Sequence, residues 1–297
     1  GHPEVHRDVA GALSSLASHS ANQIAIAHAG GIVPLVGLLS TASREAQETV
    51  AAALYSLAET SANRVAIASA GGITPLVDLF DGGSDDAKAQ AAGALQTLVV
   101  DNVPNQVAVS QDLVRLIKTG SALAQEHVTE LLRNLATNPD NRGAIAKAGA
   151  IPELVRQLES GSEKSMEMAA AGLVLISLKS QAEKATVTQE LVKLLASEAE
   201  SVRQRASEAL RGVADEDKSA TKAQAVGTGG GGPLVNLLKD GLKDGRVEAQ
   251  EYALWSLSSI TNQAAKEAVV QAGGIKPLIA ALVGGKISPT AQEHAAA

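Results

Sequence analysis

The chain contains no cysteine. That excludes a disulfide framework, a thiol nucleophile and thiolate metal sites, and it fits a reducing compartment, so the cytoplasm or nucleus is the expected location. Large rings are nearly missing: Tyr55, Phe80, Tyr252 and Trp255 are the whole aromatic complement. A core must therefore come from closely packed helices with alanine, leucine and valine between them. No run reaches the roughly eighteen apolar residues of a membrane span. The first residues carry neither a signal-peptide core nor a starting Met, and the chain is expected to be a fragment of a longer protein. Positive charge is in deficit: 25 Lys and Arg against 32 Asp and Glu leave −7 at pH 7. Phosphate binding rests on clustered Lys and Arg, so nucleic acid is disfavoured and a basic protein or peptide is the expected partner.

What is present is a stretch that returns. Ala29-Gly30-Gly31-Ile32-Val33-Pro34-Leu35-Val36 comes back as Ala70-Gly71-Gly72-Ile73-Thr74-Pro75-Leu76-Val77, as Ala148-Gly149-Ala150-Ile151-Pro152-Glu153-Leu154-Val155 and as Ala272-Gly273-Gly274-Ile275-Lys276-Pro277-Leu278-Ile279. Glycine closes one helix, and proline stands in the first turn of the next, where its missing N–H costs nothing. Each copy is a helix-to-helix corner.

The leucine after each corner, or in its place, serves as a ruler. Leu35, Leu76, Leu113, Leu154, Leu191, Leu234 and Leu278 are spaced 41, 37, 41, 37, 43 and 44 residues apart. That is a helical-repeat period, and it overrides the two-domain prior of a 297-residue chain in favour of one domain over residues 1–297. Arg44 to Glu59 places Ala46, Val50, Ala53, Leu54 and Leu57 on one amphipathic stripe. Asn22, Asn63 and Asn141 stand before the corners as expected N-caps of short helices. Each full unit then reads as a short, a medium and a long helix. The glycine corner is lost at 105–112 and 185–190, where the short helix is expected to shrink or merge. At Gly227 to Pro233 it decays into a glycine run that predicts a soft spot. Residues 2–18 match a long helix whose unit is incomplete, and 290–297 read as the start of another.

The pattern Asn-x-x-x-Ile-Ala-x-Ala-Gly-Gly-Ile-x-Pro-Leu-Val-x-Leu-Leu, at Asn22 to Leu39 and Asn63 to Phe80, resembles the armadillo repeat family. The resemblance covers nearly the whole chain, with roughly six full units between partial ones. It implies an all-α fold: a right-handed α-solenoid whose long third helices line a concave groove that holds extended partner segments. The corner-less units are closer to two-helix HEAT repeats. In the importin-α branch a repeated Trp and an Asn four residues later grip lysine-rich peptides. At the matching positions here only Trp255 is tryptophan and none is asparagine, which disfavours an import receptor.

Stepping along one face of each long helix gives the candidate groove. Its acidic members are Glu48, Glu59, Glu126, Glu130, Glu167, Glu208, Asp215 and Glu248, and its basic members are Arg7, Arg133 and Arg211. Eight carboxylates against three guanidinium groups leave −5. Tyr55 lies on the same face, and with Trp255 and Tyr252 as the best packing or cation–π anchors this groove is expected to bind a segment carrying Lys or Arg. The competing readings are merely solvated helix faces, or a structural brick in a cytoskeletal or flagellar assembly.

Nothing in the sequence builds a catalytic, metal or cofactor site. His2-Pro3-Glu4-Val5-His6 has proline where a zinc protease needs its glutamate, and Gly227 to Gly232 lacks the Lys-Ser or Lys-Thr of a phosphate loop. Asp85-Asp86 and Asp215-Glu216-Asp217 read as hydrated loop carboxylates near helix starts. His19, His28 and His127 stand isolated, with no triad partners. A non-catalytic scaffold is the expectation, and an enzyme would need a separate domain.

Overall fold

A computed structural model describes residues 3–195, 197–215, 231–245, 247–258 and 263–283, all of which lie in helices or the turns between them. The chain divides into two compact units, residues 1–153 and 154–297. The first holds α1 (Pro3–Leu16), α2 (Ser20–His28), α3 (Ile32–Thr41), α4 (Arg44–Ala58), α5 (Ser61–Ser69), α6 (Ile73–Gly82), α7 (Asp85–Leu98), α8 (Val103–Thr119), α9 (Ala122–Ala136) and α10 (Pro139–Lys147). Helix α11 (Ala150–Ser160) crosses the division. The second unit continues with α12 (Glu163–Ser177), α13 (Gln181–Leu194), α14 (Glu200–Asp215), α15 (Gly231–Asp244), α16 (Val247–Ser258), α17 (Gln263–Gln271) and α18 (Ile275–Val283). The expected short–medium–long order holds in α2–α4, α5–α7 and α10–α12. Where the corner is missing the two shorter helices have merged, into α8 and into α13. The glycine run falls outside the described residues, apart from the backbone of α15, and so does 290–297.

The corner works as its composition predicts. Gly30, Gly71, Gly149 and Gly273 have φ of +77°, +79°, +85° and +74°. The next N–H reaches back five residues, Gly31 to the Ile26 carbonyl and Gly72 to the Ile67 carbonyl, both at 2.9 Å. This left-handed closure turns the chain by 83° between α2 and α3 and by 75° between α5 and α6. The second glycine meets a different need, close approach: a Cβ on Gly31 or Gly72 would lie 2.8 Å from the Ile26 or Ile67 Cγ2.

The Asn residues do not cap helix starts. Helices α2, α5 and α10 begin two residues earlier, at Ser20, Ser61 and Pro139, so Asn22, Asn63 and Asn141 lie inside the first turn. Their amides turn back and donate to the last carbonyls of the preceding long helix, Leu16, Leu57 and Leu135, at 2.9–3.0 Å. The following residue repeats the trick, as Gln23 on Ala17, Arg64 on Ala58 and Arg142 on Ala136. Helix ends leave unsatisfied carbonyls, and this pair of side chains satisfies them. The long helices are instead capped by Ser43, Ser84, Ser121 and Ser162, whose hydroxyls accept from the N–H three residues on. Asp85 and Asp86 follow that cap within the first turn of α7, not in a loop.

The amphipathic stripe of α4 is fully buried, with Ala46, Val50, Ala53, Leu54 and Leu57 at 0 % exposure. Small residues bring long helices together: Gly11 of α1 sits 3.5 Å from the Thr49 methyl, and Gly93 of α7 lies under the Tyr55 ring at 3.0 Å, both measured from an ideal Cβ. Helix α4 thus packs along α1 and along α7. Helices α7 and α9 make no comparable contact.

Candidate functional site

The gap in that packing is a recess of about 240 Å³ between α7 and α9. The chain between these two helices is the merged α8, where the repeat spacing contracts to 37 residues and the glycine corner is absent. Phe80, Ala89, Ala92 and Leu131 give it an apolar lining. Asp85, Lys88, Gln96, His127, Glu130 and Asn134 supply its polar groups. Of the groove candidates, Glu130 of α9 reaches this lining, facing Ala89 and Gln96 of α7. Tyr55, one register earlier on α4, adjoins it through Gly93.

Lys88 is one departure from the repeat, as is Met166, four residues after the Ser162 cap of α12. Four residues after the capping serine or its equivalent, α4, α9 and α16 carry Gln47, Gln125 and Gln250. Each amide clasps a carbonyl near the end of the helix before, Leu39, Gly120 and Gly241, at 2.8, 2.9 and 2.7 Å. Lys88 takes that step in α7. It is 9 % exposed, and its ammonium donates to Asp85 at 3.2 Å, whose carboxylate is almost wholly in solvent. On the facing helix the His127 Nδ1 lies 2.8 Å from the Leu123 carbonyl. A carbonyl can only accept, so Nδ1 carries a proton and donates to it. Asn134 accepts from the Arg133 Nη1 at 2.7 Å.

Several other groove candidates are tied into the scaffold. Glu48 is half-buried and accepts from Ser84 at 3.4 Å, one repeat on. Glu59 accepts from the buried Gln23 amide at 2.9 Å, and Thr60 donates to the other end of the same amide at 2.6 Å. Tyr55 is 40 % exposed, while Glu126, Glu130 and Arg133 are half-buried on α9. In the second unit Glu167 is exposed, and Glu208 pairs with Arg205 at 3.2 Å. Tyr252 differs from the expectation of an exposed anchor. It is 5 % exposed, its ring lies 5.9 Å from that of the half-buried Trp255, and burial pushes its phenol up to about 12. The side chains of Arg211, Asp215 and Glu248 lie outside the described residues.

The recess was only partly legible. Glu130 is among the groove candidates, but Gln96, Lys88, His127 and Asn134 are not. The sequence carried no clean signal for the rest, since the step of Gln47, Gln125 and Gln250 is broken at Met166 as well as at Lys88. Among the described residues, no group of three or more His, Asp or Glu is gathered as a metal ion would need. No single described helix is long and apolar enough to cross a membrane.

Helices in short–medium–long order, closed by a left-handed glycine and stacked through their long members, define a helical-repeat protein. Three of the repeats are armadillo repeats: the Armadillo/beta-catenin-like repeat matches residues 19–59, 60–100 and 138–177, which are the three complete three-helix units. No curated protein matches the chain. Among solved structures an engineered protein is 28% identical at a TM-score of 0.48, over 99% of this chain and 74% of its own. A designed armadillo repeat protein is 25% identical at 0.44, over 70% and 93%. Another, in complex with the peptide (KR)4, is 23% identical at 0.44, over 70% and 92%.

Proposed function

We propose that the chain is a non-catalytic scaffold that holds an extended segment of a partner protein, one carrying Lys or Arg, along the face of its long helices. The observation that carries this is the recess between α7 and α9, where the groove candidate Glu130 lines one opening with Ala89 and Gln96, a mixed apolar and polar wall. Amides both donate and accept, which suits an extended backbone with no internal hydrogen bonds of its own. The excess of carboxylates in the column favours a cationic segment and steers its approach. Reading residues 1–297 as one array belongs to the same proposal, and the spacings of 41 and 37 residues on either side of residue 153 support it.

The test is selection of a random displayed-peptide library on the immobilised chain at low salt. Enrichment of Lys and Arg, lost in the E126K/E130K double variant and weakened by added salt, is the expected result. Enriched peptides with no basic bias, or peptides whose binding survives both charge reversal and salt, would overturn it.

A further inference from the structure

The recess joins an apolar floor to a fixed cation. Phe80 and Leu131, 4 % and 2 % exposed, lie at its base, and the small side chains of Ala89 and Ala92 leave room on the α7 side. Lys88 lines the same space, its stem buried and its ammonium 3.2 Å from Asp85. Both carboxylates of the lining are committed: Asp85 holds Lys88 from a position almost wholly in solvent, and Glu130 already has an interaction of its own. A lysine or arginine side chain entering here meets the charge of Lys88, and an anion meets Asp85 and Glu130. An aromatic ring meets neither penalty. It carries no net charge, buries about 150–250 Å² against carbon, and offers an ammonium the negative face of its π system. Its edge can also rest against the Phe80 ring, the favoured tilt of an aromatic pair. A volume of about 240 Å³ suits one side chain rather than a folded element.

Resting on the reading that this face holds an extended segment, we infer that the α7–α9 recess takes one aromatic side chain of that segment, with its ring face toward the Lys88 ammonium and its edge toward Phe80. The basic residues of the segment stay outside this recess, where the carboxylates of the column draw them. Gln96 and Asn134 place amides beside the ring, so the hydroxyl of a tyrosine or the N–H of a tryptophan finds a partner there as well.

Fluorescence anisotropy of the whole chain with labelled, terminally blocked Lys-Ala-Lys-Xaa-Lys-Ala-Lys peptides tests this, with Xaa as phenylalanine, pentafluorophenylalanine, cyclohexylalanine or alanine. The phenylalanine peptide is expected to bind about threefold or more tighter than the cyclohexylalanine peptide, which is as apolar but has no π face, and tighter than the pentafluorinated one, whose ring face is no longer negative. K88Q, which puts glutamine where Gln47 and Gln125 stand in α4 and α9, should abolish that preference. A89L, which fills the space from an exposed position, should bring the phenylalanine peptide down to the level of the alanine one. E159Q, at an exposed site on α11, should leave the preference unchanged, with circular dichroism and melting reporting that each variant folds. Phenylalanine bound no tighter than cyclohexylalanine, a preference that survives K88Q and A89L, or one that falls as far in E159Q overturns the inference and leaves the groove reading standing. Failure of all four peptides to bind the unaltered chain overturns the groove reading and the inference with it.

Discussion

Asn63 ties two repeats together: its Nδ2 donates to the Leu57 carbonyl at 3.0 Å, closing α4, and to the Gln23 carbonyl at 3.2 Å, forty residues earlier in α2. Asn105 does the same one repeat on, donating to Leu98 at 2.9 Å and to Arg64 at 3.2 Å. Both amides are buried, so the carbonyls they satisfy have no access to water in exchange. Replacing Asn63 by Leu should cost about 1–3 kcal/mol in urea unfolding, the range for stranding buried acceptors. Replacing the half-buried Asn22, whose amide bonds Leu16, should cost less than that.

Glycine substitutions should divide by sign. G71A forces a side chain into φ of +79° and should destabilise by about 1–2 kcal/mol. G72A presses a methyl against Ile67 and should also destabilise. Gly37, exposed in the middle of α3 with nothing near its Cβ direction, should gain about 0.5–1 kcal/mol on becoming Ala. Thermal melts of the three variants give the order.

Lys88 stands at a glutamine step. K88Q should restore the amide clasp seen at Gln47 and Gln125 and match or exceed the parent in stability. K88A leaves the space beside the recess empty and should be the less stable of the two by about 1 kcal/mol or more. Urea midpoints separate them.

Asp81 accepts from the Ser121 hydroxyl at 2.5 Å and from its N–H at 3.0 Å, linking the end of α6 to the cap of α9. These two bonds hold its carboxyl below the usual carboxylate range. Because the folded value is the lower one, the contribution is complete above the unfolded carboxylate range and disappears as pH falls through the folded value. It is small, since Asp81 is exposed. The melting temperature of D81N should therefore fall less steeply than the parent's on acidification below about pH 4.

Much of the architecture is written locally. A left-handed glycine, a proline in the first turn and an apolar stripe each act through neighbouring residues, so Gly30, Pro34 and the Ala46–Leu57 stripe announce the corner, the next helix and its buried face before any fold is known. The period follows because the same local demands recur. The merging of α8 and α13 was legible for the same reason, since the corner residues are simply not there.

Other features depend on residues 36–41 positions apart, and the sequence is silent about those. Asn63 is a good cap in isolation; only the carbonyls of Leu57 and Gln23 around it make it a clasp between helices. Tyr252 sits on the groove face by counting, yet the packing around α16 buries its ring. The chain's own letters determined a period of stacked helices, because backbone conformation is a short-range property. Whether α7 and α9 touch or part was decided only in three dimensions, because α12 and α14 flank an equally corner-less unit and do pack together, and it is in the α7–α9 gap that His127, Glu130 and Lys88 come to face one space.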